Sequence, residues 1–278
     1  MPARASPLAR VSGGRTNGLM IMKFNKFIVL MAFVSLTLTT HAAVTGWTNW
    51  RGPFQTGYSD ATDLPKSIKP DDALWTHNIA GRGQAVIANG RVFTWGYRGK
   101  DADLQEVLFC LDEANGKTIW EHGYNDYLSD TVYSRYTVGA PTIDPATGWV
   151  YLMTTNGGVK CFNADGKIQW EYSLMERFGR LTFPNGRTGA AVIDGDLVIV
   201  RGVTSYWGKQ GPARDRFYAF KKKTGAPVWA STPGVAPQDS SFSTPVLANV
   251  GARRVFYAGT GDGNVAVSYT HLTLPTKA

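Results

Sequence analysis

The sequence predicts an all-β protein assembled from repeated four-stranded units, and three observations support this fold class. The segments NGKTIW, DGKIQW and TGAPVW, which end at Trp120, Trp170 and Trp229, each carry a glycine four residues before the tryptophan. Short runs of β-branched and aromatic residues, which favour strands, precede each glycine. The pattern returns after 50 and then 59 residues, and a fixed pattern with such a period is the signature of a repeat architecture.

Four strands appear in each repeat when the segments are aligned on the tryptophan. The first strand opens with small residues and reads GQAVIA, GAPTID, GAAVID or STPVLA. A turn rich in Asn, Asp and Gly follows, and the second strand reads RVFTWG, WVYLMTT, LVIVRG or RVFYAGT. The third strand, EVLFCLD, GVKCFN or RFYAFK, leads into the glycine turn and the tryptophan strand. Four short strands joined by tight turns describe one blade of a β-propeller.

The repeats predict an arc of three full blades and a partial fourth within a domain spanning residues 43–267. The blades are expected at about residues 81–122, 137–172 and 187–231, with the partial blade at about 241–267. Trp75, in ALWTHN, is interpreted as an outer strand whose three partner strands are missing, so we expect the chain to be part of a longer ring. The large indole rings are expected to fill the gaps between neighbouring blades; they belong to Trp75, Trp120, Trp170 and Trp229.

Both ends of the chain are expected to lie outside the domain. Residues 1–21 resemble upstream sequence read into the frame, and residues 268–278 resemble a translated sequencing adapter. Residues 22–42 place two lysines before a short apolar run and small residues, the pattern of a secretory signal peptide. We therefore predict export to the periplasm or the extracellular space. No cysteine follows the signal peptide directly, so we predict neither a lipid anchor nor a transmembrane segment after signal removal.

The formal net charge of +8 comes mainly from the chain ends. Six basic residues and no acidic residue lie outside residues 44–267, which leaves +2 for the predicted domain. Nucleic-acid binding requires a clustered excess of positive charge. We therefore predict that nucleic acid is not a partner.

The repeat ending at Leu111–Trp120, with variants at Phe162–Trp170 and Phe220–Trp229, resembles the tryptophan-docking repeat of quinoprotein-type propellers. The segment Trp47–Ser59, WTNWRGPFQTGYS, resembles the start of secreted bacterial members that look non-catalytic. The resemblance implies seven or eight blades in a complete ring. It also implies one of two roles, either a pyrroloquinoline-quinone dehydrogenase or a non-catalytic relative of the outer-membrane barrel-assembly propeller lipoprotein.

The sequence shows no catalytic constellation. Quinoprotein dehydrogenases carry a vicinal cysteine pair, and many add a Cys-x-x-Cys-His haem site, whereas Cys110 and Cys161 stand alone in successive repeats. Equivalent positions on adjacent blades lie too far apart for a disulfide, so we expect two buried thiols.

Calcium would accompany the quinone under the dehydrogenase alternative, held by oxygen ligands. Oxygen donors in turns are present at Asp144, Asp194, Asp196, Asp262 and Asn264. Each of them also suits an ordinary turn. We therefore predict neither cofactor nor metal, and we expect pyrroloquinoline quinone with calcium only under that alternative.

Two surfaces are candidates for binding. Arg82, Arg135 and Arg187 come shortly before inner strands, and we hypothesise that they converge at one mouth of the channel to attract an anionic ligand or a carboxylate-bearing partner. The alternative is that each is a solvated loop residue. The long loops 122–136 and 204–216 carry aromatic residues, including Tyr206 and Trp207, which suit a protein or sugar surface or pack over neighbouring loops.

The sequence thus favours an exported binding or scaffold protein, with a protein partner or a small anionic or carbohydrate ligand at the propeller face. The first alternative is a quinone- and calcium-dependent dehydrogenase whose site lies mostly in a missing part of the ring. The second alternative is a carbohydrate-binding propeller that uses the aromatic loops.

Overall fold

A computed structural model of the protein describes residues 43–125, 136–178, 189–203, 214–233, 237 and 243–270. Its strands form four antiparallel sheets that follow one another along the chain. The first sheet contains, in spatial order, β1 (Gly46–Trp47), β2 (Val86–Ala88), β3 (Arg91–Arg98), β4 (Gln105–Asp112) and β5 (Thr118–Asn125). Two short 3-10 turns, Pro70–Asp72 and Asp101–Asp103, lie outside the sheet.

The second sheet contains β6 (Thr142–Ile143), β7 (Val150–Met153), β8 (Gly158–Phe162) and β9 (Ile168–Ser173). A five-residue helix, α1 (Leu174–Phe178), follows directly. Within the described ranges, no helix is long and apolar enough to cross a membrane.

The third sheet contains β10 (Val192–Asp194), β11 (Leu197–Val203), β12 (Asp215–Lys221) and β13 (Pro227–Ser231). The fourth contains β14 (Val246–Val250), β15 (Arg253–Gly259) and β16 (Val265–Tyr269). Each predicted blade corresponds to one of these sheets, with its strands in the predicted order from inner to outer. The predicted all-β propeller class is therefore confirmed.

Three of the docking tryptophans, Trp75, Trp120 and Trp170, lie on the glycine turn of the following sheet. A Cβ atom at Gly166 would lie 2.6 Å from the ring of Trp120, and one at Gly225 would lie 2.6 Å from the ring of Trp170. These glycines also have positive φ angles, 81° and 69°, which other residues rarely adopt. The glycine of one repeat therefore serves as the seat for the tryptophan of the repeat before it.

The indole N–H groups complete this docking. All four donate to backbone carbonyls of a neighbouring turn at 2.8–3.1 Å, in the pairs Trp75–Glu113, Trp120–Ala164, Trp170–Lys222 and Trp229–Thr270. A partly buried indole thereby keeps a hydrogen-bond partner while its ring covers apolar surface.

Trp75 docks in this way without belonging to a strand of the described sheets, and its interpretation as an outer strand whose partner strands are missing stays a prediction. The nearest pairing is a single bridge between Ala80 and Tyr97. A strand requires a neighbour with which to exchange hydrogen bonds, and no described strand lies beside residues 73–79. The Trp75 ring packs on Gly116, and its indole N–H donates to the Glu113 carbonyl at 2.8 Å.

The third strand of the fourth sheet also differs from expectation. We expected the repeat to break after residue 267, yet β16 continues to Tyr269, which pairs with Val255. Thr270 is fully buried and accepts the Trp229 indole N–H. The repeat therefore continues through residue 270, while the origin of residues 268–278 stays a prediction.

Buried apolar clusters lie between consecutive sheets. Each cluster contains buried side chains from both sheets. Examples, from the first interface to the third, are Leu108 with Phe162, Tyr151 with Phe220, and Phe217 with Phe256. No sheet therefore buries its apolar face alone. This dependence on neighbours is typical of repeat proteins.

We predict that Trp170→Ala lowers the free energy of unfolding by about 3–5 kcal/mol, because it removes a buried ring and leaves a cavity between two sheets. Urea unfolding followed by circular dichroism measures the change. Tyr58→Ala is the control, since this side chain is 69% exposed, and we expect a change below about 0.5 kcal/mol. Equal losses in the two variants would contradict the docking role.

Candidate functional site

The chain segment before the first sheet lies along the inner strands, an arrangement that sequence reasoning missed. We call residues 44–55 the inner segment. Its strand β1 pairs antiparallel with β2. It then reaches the second sheet, where the Val44 N–H donates to the Pro145 carbonyl and the Ile143 N–H donates to the Thr48 carbonyl, each at 2.8 Å.

The inner segment continues to the third and fourth sheets. The Leu247 N–H of the fourth sheet donates to Gln55 Oε1 at 3.4 Å. Asn49, Trp50, Arg51 and Gln55 share one small pocket with Ala191, Val192, Thr244 and Pro245 of the third and fourth sheets. One segment therefore contacts the inner side of all four described sheets.

Gly46 makes this close approach possible. A Cβ atom at this position would overlap with the carbonyl oxygen of Ile87, and φ is 139°. Gly52 has a positive φ of 78°, and a Cβ there would lie 3.0 Å from the ring of Trp47. The two glycines let the segment pair with β2 and then fold back onto its own tryptophan.

The arginine cluster proposed from the sequence is only partly described. Arg82 is exposed. Arg135 and Arg187 lie outside the described residues, as do Tyr206 and Trp207. The convergence of the three arginines at a channel mouth therefore stays a prediction.

A buried carboxylate connects the first two sheets. Glu106, at the start of β4, is fully buried. It accepts hydrogen bonds from the N–H groups of Thr137 and Thr155 at 3.1 Å each, from the Tyr124 hydroxyl at 2.8 Å and from the Thr155 hydroxyl. Several donors to one carboxylate offset the cost of burying its charge.

Asp215 occupies the matching position in the third sheet. It is fully buried and accepts from the Arg201 Nε at 3.0 Å and from the Gly261 N–H at 2.5 Å. Arg201 also donates to the Gly259 carbonyl at 2.8 Å. Burial lowers the pKa of Arg201, while the adjacent Asp215 raises it. This network links the third sheet to the fourth.

Glu106 and Asp215 occupy the same position in their repeats, and this shared position is a signal from which the sequence could have identified them. Each stands four residues before the residue that pairs with the docking tryptophan, namely Cys110 for Glu106 and Ala219 for Asp215. Each accepts a backbone N–H from the turn between the second and third strands of the following sheet. We call this contact the carboxylate latch.

The candidate calcium ligands do not converge. Asp144 pairs with Lys222 at 3.0 Å, and Asp194 pairs with Arg254 at 2.9 Å. Asp262 accepts from the backbone N–H of Asn264 at 3.1 Å. In the part of the chain that the structure describes, no three His, Cys, Asp or Glu side chains form a group that could hold a metal ion.

An open cleft of about 620 Å³ lies at the outer edge of the first two sheets, and we call it the outer cleft. Three elements form its walls, which are the end of β5, the β7–β8 turn with β8, and the end of β9 with α1. Its polar and aromatic lining side chains include Tyr124, Asn125, Asn156, Lys160, Tyr172 and Arg177. Of the predicted binding loop 122–136, residues 126–135 lie outside the described residues, but Tyr124 belongs to this cleft.

The two cysteines are buried and unpaired, as expected. Burial raises the pKa of Cys110 to about 11 and that of Cys161 to about 12. A thiol with so high a pKa is almost entirely protonated at neutral pH, and the thiolate is the reactive form. Both side chains therefore act as apolar core groups.

Comparison with known proteins supports the repeat assignment. The family model described as outer membrane protein assembly factor BamB matches residues 37–200 and 103–270. These overlapping matches cover most of the chain. No curated protein matches the chain.

Several solved structures are similar at low identity. BamB from Moraxella catarrhalis is 16% identical over 76% of this chain and 54% of its own, with a TM-score of 0.40. Quinohemoprotein alcohol dehydrogenase from Comamonas testosteroni is 17% identical over 68% of this chain and 27% of its own, with a TM-score of 0.45. A quinohemoprotein alcohol dehydrogenase from Pseudomonas putida HK5 is 13% identical over 81% of this chain and 48% of its own, with a TM-score of 0.49. The chain thus spans between a quarter and about half of the length of these proteins.

We predict that Gly46→Ala detaches the inner segment, because the added Cβ would overlap with the Ile87 carbonyl. Exchange of the Ile143 amide hydrogen, which donates to Thr48, should then accelerate about tenfold or more. Hydrogen exchange measured by NMR tests this. Gly90→Ala is the matched control, since Gly90 has a positive φ of 73° and no atom within 4 Å of the added Cβ. Similar exchange at Ile143 in both variants would contradict the pairing.

We predict that neither Cys110 nor Cys161 reacts with iodoacetamide in the folded protein at pH 8, because burial and a raised pKa leave almost no thiolate. In urea the pKa values fall to their ordinary range, and both thiols should react within minutes. Mass spectrometry counts the added groups. Rapid labelling of the folded protein would show that at least one thiol is accessible.

Proposed function

Because the chain belongs to the family of the outer membrane protein assembly factor BamB, we propose that it is an exported β-propeller that binds a protein partner and acts as a scaffold. Repeat proteins present extended surfaces built from successive units, and such surfaces suit contact with another protein. The signal-peptide pattern of residues 22–42 supports export to the periplasm or the extracellular space.

The observation that carries the proposal is the position of the inner segment. Residues 44–55 contact the inner side of all four sheets, partly through backbone hydrogen bonds of 2.8 Å. A small-molecule site needs a concave pocket that is open to its ligand. Since the inner segment occupies part of this inner surface, the outward-facing surfaces are favoured for recognition.

The dehydrogenase alternative requires residues that fit a quinone and calcium. The buried carboxylates of Asp144 and Asp194 already pair with Lys222 and Arg254. Asp215 already accepts hydrogen bonds from Arg201 and from the Gly261 backbone N–H. The residues that the structure describes therefore do not fit these groups, and no reaction step follows from them.

Two measurements on the full chain test the scaffold role. A photo-crosslinking amino acid at Ile68, which is 78% exposed, should yield one discrete adduct with an envelope protein when the chain is expressed in its native cell. The same amino acid at Val107, which is fully buried, is the control and should yield none.

The second measurement adds pyrroloquinoline quinone and calcium to the purified chain. We expect neither retained quinone absorbance nor dye-linked oxidation of alcohols, because the inner segment occupies part of the inner surface. Saturable quinone binding with alcohol oxidation would overturn the scaffold role and establish the dehydrogenase alternative.

A further inference from the structure

Two cations in the outer cleft are held in fixed orientations. The Lys160 ammonium lies 5.0 Å from the centre of the Tyr124 ring and 2.5 Å from a Glu171 carboxylate oxygen, and only 14% of its side chain is exposed. The Arg177 guanidinium lies 4.9 Å from the centre of the Tyr172 ring. Cation–π contact stabilises each group where it stands. Because an ammonium has three N–H donors and a guanidinium has five, both cations keep donors for a ligand.

Two side-chain amides add further oriented donors. The Asn125 oxygen accepts from Gln105 Nε2 at 3.0 Å. The Asn156 oxygen accepts from the Gly158 N–H at 3.2 Å. In the described ranges, neither amide NH₂ group has a protein partner. Each amide is therefore anchored through its oxygen and presents its two N–H donors to the cleft.

Among the described residues that line the cleft, the charges balance. Lys160 and Arg177 face the carboxylates of Glu171 and Glu176, which also line the cleft. A ligand with a net charge of either sign would meet as many like charges as opposite ones. A neutral ligand avoids this repulsion, provided that it can both donate and accept hydrogen bonds.

The described part of the lining offers little apolar surface. Met175, 40% exposed, supplies the aliphatic surface, and each tyrosine ring has a cation over one face. Peptide ligands usually gain affinity from pockets that bury apolar side chains. The cleft offers hydrogen bonds of both polarities in place of such pockets, which suits a ligand rich in hydroxyl groups, since each hydroxyl both donates and accepts.

We propose that the outer cleft binds a neutral, polyhydroxylated ligand, namely a short stretch of an uncharged oligosaccharide or polysaccharide. The cleft volume of about 620 Å³ lies within the range of ligand sites. Lys160, Asn125, Asn156 and Arg177 donate to sugar oxygens, and the free oxygens of the two glutamates accept from sugar hydroxyls. This site is independent of the scaffold role.

Calorimetric titration of the full chain with three neutral trisaccharides tests the proposal; the probes are maltotriose, cellotriose and triacetylchitotriose. At least one should bind saturably. Asn125→Ala should weaken its binding about fivefold and Arg177→Ala about tenfold, because each removes hydrogen bonds to the ligand. Thermal unfolding checks that both exposed-site variants stay folded.

Arg253→Ala is the matched control. Arg253 lies 5.6 Å from the centre of the Tyr269 ring on the fourth sheet, so the variant removes a similar cation–π pair away from the outer cleft. It should leave sugar binding unchanged.

Four outcomes would overturn the proposal. The first two are that none of the three probes binds, and that Arg253→Ala weakens sugar binding as much as Arg177→Ala does. The other two are that a charged trisaccharide such as trigalacturonate binds more tightly than the neutral ones, and that an uncharged extended peptide displaces the sugar with higher affinity. The last outcome would instead assign the cleft to a peptide.

Discussion

The docking of a tryptophan on the glycine turn of the next sheet, as seen for Trp75, Trp120 and Trp170, is the contact on which the described structure depends. A single sheet leaves apolar surface exposed, and stacking against a neighbour buries it. The indole ring covers this surface, and its N–H reaches a backbone carbonyl beyond the interface, as Trp170 does with Lys222 at 2.8 Å. The glycine beneath the ring leaves room for close approach. One short motif therefore takes part in two contacts. Its tryptophan packs on the next sheet, and its glycine turn receives the tryptophan of the preceding repeat.

A polar contact reinforces this packing at the opposite end of the same strand. The carboxylate latch places Glu106 and Asp215 at the starts of β4 and β12, while the tryptophan pairs near the ends of those strands. Each of the two strands is thus tied to the following sheet at both ends. The buried charges are therefore used to connect successive sheets, and the site that we propose for ligand binding lies elsewhere, at the outer cleft.

Sequence patterns predicted the strands well because strands and turns depend on neighbouring residues. Runs of β-branched and aromatic residues, separated by turn glycines, gave the correct order of the predicted strands in the four sheets, with β1 of the first sheet missed. Trp75 shows the limit of this reasoning, since its motif predicts an outer strand whose partner strands the described residues do not supply, and that strand stays a prediction. The inner segment was missed because its contacts, such as Thr48 with Ile143, join residues that are far apart in the chain. The outer cleft was only partly anticipated, through Tyr124, since Lys160 and Arg177 come from another repeat.

The local pattern alone thus determined the repeat, its four strands, its turns and the seat for each tryptophan, because backbone propensity and glycine geometry are encoded within a few residues. The tertiary structure decided where the first segment lies, which carboxylates connect the sheets, and which side chains meet in the outer cleft. Those outcomes depend on how successive sheets stack, and stacking brings together groups from different repeats. The distances between such groups are set by how the sheets pack, so they cannot be deduced from the sequence of a single repeat.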